Sequence, residues 1–126
     1  RLKTGFEKFK TDVYDKKLDF FKPLKAGQAP KSMVFGCADS RVCPCFTLGL
    51  EPREAFTMRN ISNMVPCYCK NKYSCVGSAI EYAVCALKVE VIAVTGHTRC
   101  GGIKAMLSLK DGADDSLHSV EDWVRI

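Results

Sequence analysis

No stretch of the 126 residues approaches the roughly 20 consecutive apolar residues that a membrane-spanning helix needs, so a membrane span is not expected. Nor does a basic-then-apolar leader open the chain, which argues against a secretory precursor. Because the first residue is Arg1 and not methionine, the sequence is silent on any targeting segment removed upstream. There is no concentrated basic run either. Nineteen Lys and Arg stand against fourteen Asp and Glu, and they interleave, as in FEKFKTDVYDKKLDF. That pattern is a solvated charged face, so no nucleic-acid partner is expected; the formal charge of +5 bears on solubility and a mild attraction for anions. Internal repeats and low-complexity tracts are absent, and a chain of this length is one domain's worth of material. Among the eight cysteines no Cys-x-x-Cys pair occurs, which weakens a thiol-redox reading. At about 6% of the residues, cysteine also falls short of the density of a small disulfide scaffold, and a reducing compartment is expected.

What is present is an alternation of helical and strand-like patterns. Leu2, Phe6, Phe9 and Val13 recur in steps of four, three and four, which predicts an amphipathic helical arm over residues 1–22. Pro23, Gly27 and Pro30 then mark KPLKAGQAPK as a loop. SMVFG is too short for a core helix and reads as a buried strand; AFTMR, Ala55 to Arg59, is a second. From Ser74 to Lys88, Val76, Ile80, Ala83, Val84 and Leu87 follow helical spacing, and VEVIAVT is a β-branched run of strand length. GIKAMLSL predicts a short helix, DGADDS a turn, and LHSVEDWVRI a last helix with Val120, Trp123 and Val124 on one side. The expected fold class is α/β: a mainly parallel sheet covered by helices on both faces, forming a core over residues 32–126.

Ligand sites in such sheets gather outside the carboxyl ends of the strands. Cys37 follows one strand, and His97 and Cys100 follow another. Two thiolates and one imidazole, with a fourth position open, are a donor set that zinc catalysis uses. The competing reading is two buried apolar cysteines and a satisfied histidine. Asp39 and Arg41 alternate with Cys37, so all three are expected on one side of the segment. Arg41 would then either pair with Asp39 and leave it an acceptor beside the metal, or release it to become the fourth ligand. A plain surface ion pair is the bland alternative.

CADSRVCP with GHTRCGG, joined by EAFTMRNISNMVP and IEYAV, resembles the β-class carbonic anhydrases, and the flanking text is similar to the plant branch. The resemblance runs over essentially the whole chain. It implies reversible hydration of carbon dioxide to bicarbonate, with zinc on Cys37, His97 and Cys100 and with Asp39 and Arg41 as the catalytic dyad. It further implies that Gln28 holds CO2 or bicarbonate, that Phe56 and Tyr82 line the substrate pocket, and that Gln28 and Phe56 reach it from a partner subunit. The expected partners are therefore the substrate and further copies, as a homodimer or larger homo-oligomer whose helical arm wraps a neighbour. The chloroplast stroma is the implied compartment, with the cytoplasm as the alternative. A catalytically weak zinc-binding homologue is the second reading, because this copy departs from the pattern. Cys45 and Arg53 replace serine and glycine. Cys67 and Cys69 add thiols, and Ser74 and Cys75 replace a glycine pair, where strain is expected. Arg99 replaces a small residue, and Ala86 stands where a proton-carrying histidine is common, with His118 a conceivable substitute. Family members also continue beyond the position of Ile126.

Overall fold

The computed structural model describes residues 1–70, 74–109 and 118–126, so the DGADDS turn lies outside the described residues. Three parallel strands make the sheet: β1 (Ser32–Cys37) in the centre, β2 (Ala55–Asn60) on one side and β3 (Val91–Val94) on the other. In register, Met33 faces Phe56 and Ile92, Phe35 faces Met58 and Val94, and Cys37 faces Asn60. Five consecutive residues of β1 are buried, as expected of a central parallel strand covered on both faces.

One face is covered by α4 (Cys75–Glu81) and the turn after it, so that Met33, Phe35, Val76 and Ala83 form the core with Phe56, Met58, Ile80 and Trp123 against them. On the other face α3 (Pro44–Thr47) lies so close to β1 that a side chain on Gly36 would strike the Pro44 ring at 2.6 Å. The cover is incomplete at β3, where Val91 and Val94 are each 59% exposed. The fold is the expected one, a parallel sheet flanked by helices, with β1 covered on both faces.

Val84 departs from its expected inward position and is exposed. The chain from Tyr82 to Ala86 is a π-turn, in which Leu87 N–H reaches back to Tyr82 O at 3.0 Å; one extra residue per turn keeps Ala83 inside and rotates Val84 out. The arm differs too. α1 (Leu2–Lys8) runs through a π-turn into Tyr14, breaks at Lys17 (φ −121°, ψ 39°) and resumes as α2 (Leu18–Phe21), then as a 3-10 segment Lys22–Ala26 where a loop was expected. The break folds the aromatic side chains together, with Phe9 and Phe21 ring centroids 6.1 Å apart. None of the arm's helical residues is buried, and Leu2 and Phe6 stand 91% and 65% exposed.

The strain expected at Ser74 and Cys75 is absent. Ser74 has an ordinary extended backbone (φ −124°, ψ 116°), and its Oγ accepts a 3.0 Å bond from Gly77 N–H, capping α4. Ser74→Ala should therefore cost about 1 kcal/mol, read as a lower urea midpoint, and Ser74→Gly only a few tenths. Left-handed backbone falls instead at other residues, among them Arg53 (φ 84°), whose guanidinium lies 5.1 Å over the Phe20 ring.

Candidate metal centre

β1 and β3 end side by side, tied by Thr95, whose N–H and Oγ1–H both donate to Phe35 O at 2.9 Å. Two loops leave those ends and converge. Cys37 closes β1, His97 lies in the tight turn after β3, and Cys100 is the N-terminal cap of α5 (Gly101–Ser108). Their ligand atoms all lie within 4.8 Å of one another, and the two sulfurs are 3.8 Å apart. Two sulfurs each about 2.3 Å from one tetrahedral ion would be separated by roughly 3.8 Å.

The imidazole is set for the same purpose. Its Nδ1 lies 3.0 Å from Thr98 O; a carbonyl only accepts, so Nδ1 carries the proton and Nε2 keeps a free lone pair. Nε2 is buried without a hydrogen-bond partner. A buried orphan nitrogen facing two thiols is costly for a satisfied core histidine and is what a ligand requires. Burial pushes the Cys100 thiol up, but the Ile103 N–H, the Cys37 thiol, the Gly102 N–H and the Ser62 hydroxyl outweigh it and hold the group below the usual thiol range. Cys37 Sγ receives the Asp39 N–H at 3.5 Å. The residues fit a zinc ion with one position left open.

Beside the donors, Arg41 grips Asp39 with both ends of the guanidinium: Nε donates to Oδ1 at 2.9 Å and Nη2 to Oδ2 at 2.7 Å. The Arg41 N–H adds a third bond to Oδ1 at 2.9 Å. This clamp holds the Asp39 carboxyl far below the usual carboxylate range, the hydrogen bonds from Arg41 outweighing the cost of its partial burial. Of the two arrangements open to it, Asp39 is seen turned to Arg41. The same Nη2 also reaches Arg99 O at 3.2 Å, which links the loop of Cys37 to the turn that carries the other two donors. Arg99 itself is exposed and left-handed (φ 54°).

Arg59 was not among the residues singled out from the sequence. From the end of β2 its Nε donates to Cys37 O at 2.9 Å and its Nη2 to Asp39 O at 2.8 Å, so a half-buried guanidinium braces the backbone of the first loop. The available signal is its inward face: Ala55, Thr57 and Arg59 alternate along β2 on the side of Gly36.

Gln28, Phe56 and Tyr82 lie elsewhere. The Phe56 and Tyr82 rings pack together with centroids 5.7 Å apart. Phe56 pairs with Met33, four residues before Cys37 and so about 13 Å away along the strand. Gln28 is exposed near the amino ends of the strands, beside a shallow groove lined by Gly27, Ala29, Lys31 and Glu54. The resemblance implies that Gln28 and Phe56 reach the pocket from a partner subunit; within one chain Phe56 packs with Tyr82 away from the metal set.

Of the remaining thiols, Cys43 is pulled below its ordinary 9.0 chiefly by the Phe46 N–H, against partial desolvation and with help from the Cys45 N–H and the Arg59 charge. Its alkylation by iodoacetamide should therefore show a midpoint below that of free cysteine measured alongside, followed by peptide mass spectrometry across a pH series.

A parallel α/β sheet with a thiolate–imidazole metal centre at its carboxyl edge defines a zinc-dependent class of protein. Residues 32–126 match the sequence model of the carbonic anhydrase family, and the chain belongs to that family, in its β class. It is 46% identical to beta carbonic anhydrase 3 of Arabidopsis thaliana over 127 residues, taking in 100% of this chain and 49% of that protein. Among solved structures, the β-carbonic anhydrase CcaA superimposes with a TM-score of 0.92 at 35% identity, over 99% of this chain and 60% of that one. One of two tetrameric β-carbonic anhydrases from the fungus Sordaria macrospora gives 0.80 at 32% identity, over 97% and 58%. The chain thus spans about half the length of the curated relative and somewhat more of the solved ones.

Proposed function

We propose that the protein catalyses the reversible hydration of carbon dioxide to bicarbonate and a proton. The observation that carries this is the convergence of Cys37, His97 and Cys100 beside the Arg41-clamped carboxylate of Asp39. Zinc, when bound, lowers the pKa of a water to about 7 and so supplies hydroxide near neutral pH. Cys37, His97 and Cys100 would hold the ion. Asp39, kept anionic by Arg41, accepts a hydrogen bond from the attacking oxygen and turns its lone pair toward the substrate carbon. Arg41 also holds Asp39 off the open position and ties together the two loops that carry the donors.

Gln28, Phe56 and Tyr82 supply the substrate wall, with Gln28 and Phe56 serving a neighbour's metal centre; the distance of Phe56 from its own centre supports this assignment. A homodimer or larger assembly follows, with the exposed apolar side of the arm available to a second copy. The tetrameric fungal relatives support it. The arm and the α/β core act as one domain, and similarity to a plant protein favours the chloroplast stroma over the cytoplasm.

The same separation favours a second reading for the isolated chain, a zinc-holding protein with weak turnover. Stopped-flow CO2 hydration by the zinc-loaded protein, run across a dilution series, tests both. Turnover per chain that rises with concentration and levels off as copies associate is the expected result. Zinc retained without turnover at every concentration supports the second reading.

A further inference from the structure

The loop from Cys37 to Asp39 carries one metal donor and the clamped carboxylate, and it is held residue by residue from the end of β2. Ala38 N–H donates to Asn60 O at 2.8 Å. On either side of that bond, Cys37 O accepts from Arg59 Nε at 2.9 Å and Asp39 O from Arg59 Nη2 at 2.8 Å. β2 ends at Asn60, and from there one edge of a guanidinium supplies the donors that a continuing strand would have offered.

The charge of Arg59 does not account for its place. Among the described residues no carboxylate forms an ion pair with it, whereas the neighbouring Arg41 is paired with Asp39. A half-buried guanidinium spends its hydrogen bonds here on two neutral carbonyls two residues apart. A rigid fork matches that spacing and a single ammonium does not. Asp39 is thereby fixed by two arginines, Arg41 on its carboxylate and Arg59 on its backbone. Cys37 has the Asp39 N–H on its sulfur and Arg59 on its carbonyl, so any slackening of the loop moves the metal donor and the carboxylate together.

We infer that Arg59 is a positioning residue for the hydration reaction, its guanidinium setting the Cys37–Asp39 backbone so that thiolate and carboxylate stand in working register. This rests on the proposed function above. Groups that orient the ligands of a metal site typically alter affinity or activity about 10–100-fold when removed.

Arg59→Lys and Arg59→Ala test it, because lysine keeps the charge without the fork and alanine removes both. Far-ultraviolet circular dichroism establishes that each is folded, and the lysine variant decides the matter if the alanine one is not. In the zinc-loaded protein, hydrogen exchange read by mass spectrometry should rise in the peptides spanning Cys37 to Val42 and stay at the wild-type level over Ser32–Phe35. Turnover at saturating CO2 should fall about tenfold in both variants with KM nearly unchanged. Millimolar guanidinium should restore part of it to Arg59→Ala and none to Arg59→Lys, whose side chain fills the space. Wild-type turnover in Arg59→Lys, or exchange that rises over the whole chain, would overturn the inference and leave the proposed function intact. A zinc-loaded wild type without turnover would overturn the proposed function itself, and the inference would fall with it.

Discussion

Replacing Cys100 by serine should abolish CO2 hydration and zinc retention together while far-ultraviolet circular dichroism stays at the wild-type level. A serine hydroxyl is not ionised near neutral pH and offers zinc a poor neutral oxygen where a thiolate stood. The loss should exceed the roughly 10–100-fold that removal of a group merely bonded to a ligand costs. Helix α5 has no need of the sulfur to begin, because serine is among the favoured N-terminal caps. Elemental analysis of the purified variant beside its stopped-flow rate checks both halves. Full activity with bound zinc would remove Cys100 from the donor set.

The second large effect is expected at Arg41. Arg41→Ala strips Asp39 of both guanidinium hydrogen bonds, leaves it the one from the backbone N–H of residue 41, and cuts the tie to Arg99 O. The freed carboxylate is then able to swing into the open position as a fourth donor, which would retain zinc but close the site. Turnover should fall by about 10–100-fold with the zinc content unchanged, the reverse of the Cys100→Ser pattern. The pH dependence has a definite sign. Asp39 titrates below its ordinary 3.8 when clamped, so its contribution to folding stability is present above that value and lost as the pH falls through the depressed one. In Arg41→Ala the carboxyl returns upward, and that part of the acid arm of the stability profile flattens. An unaltered rate in Arg41→Ala would make the pair a surface ornament.

The metal set was legible because its donors stand where short apolar runs end, and chemistry in parallel sheets collects at those ends. Arg59 was not, since a basic residue closing a strand looks like a solvated one until its inward face is known. The left-handed turn at Ser62 was hidden for a stronger reason: its neighbours Asn63 and Ile61 are held by Thr95 O and the Trp123 indole, more than thirty residues away in sequence. The phase slip that turned Val84 outward is local: Leu87 N–H reaches Tyr82 O at 3.0 Å and Val89 N–H closes onto Ala83 O at 3.1 Å, a backbone pattern that apolar periodicity does not encode. Gln28, Phe56 and Tyr82 carry no sequence signal of their own for the site; only the resemblance to relatives pointed to them, with Gln28 and Phe56 expected from a partner subunit.

The most direct test of the central claim is a zinc titration of the metal-stripped protein, with the initial rate of CO2 hydration followed at each addition. The rate should rise linearly from zero and break at one zinc per chain. Hydration at full rate before any zinc is added, or zinc bound to one equivalent with no gain in rate, would contradict it.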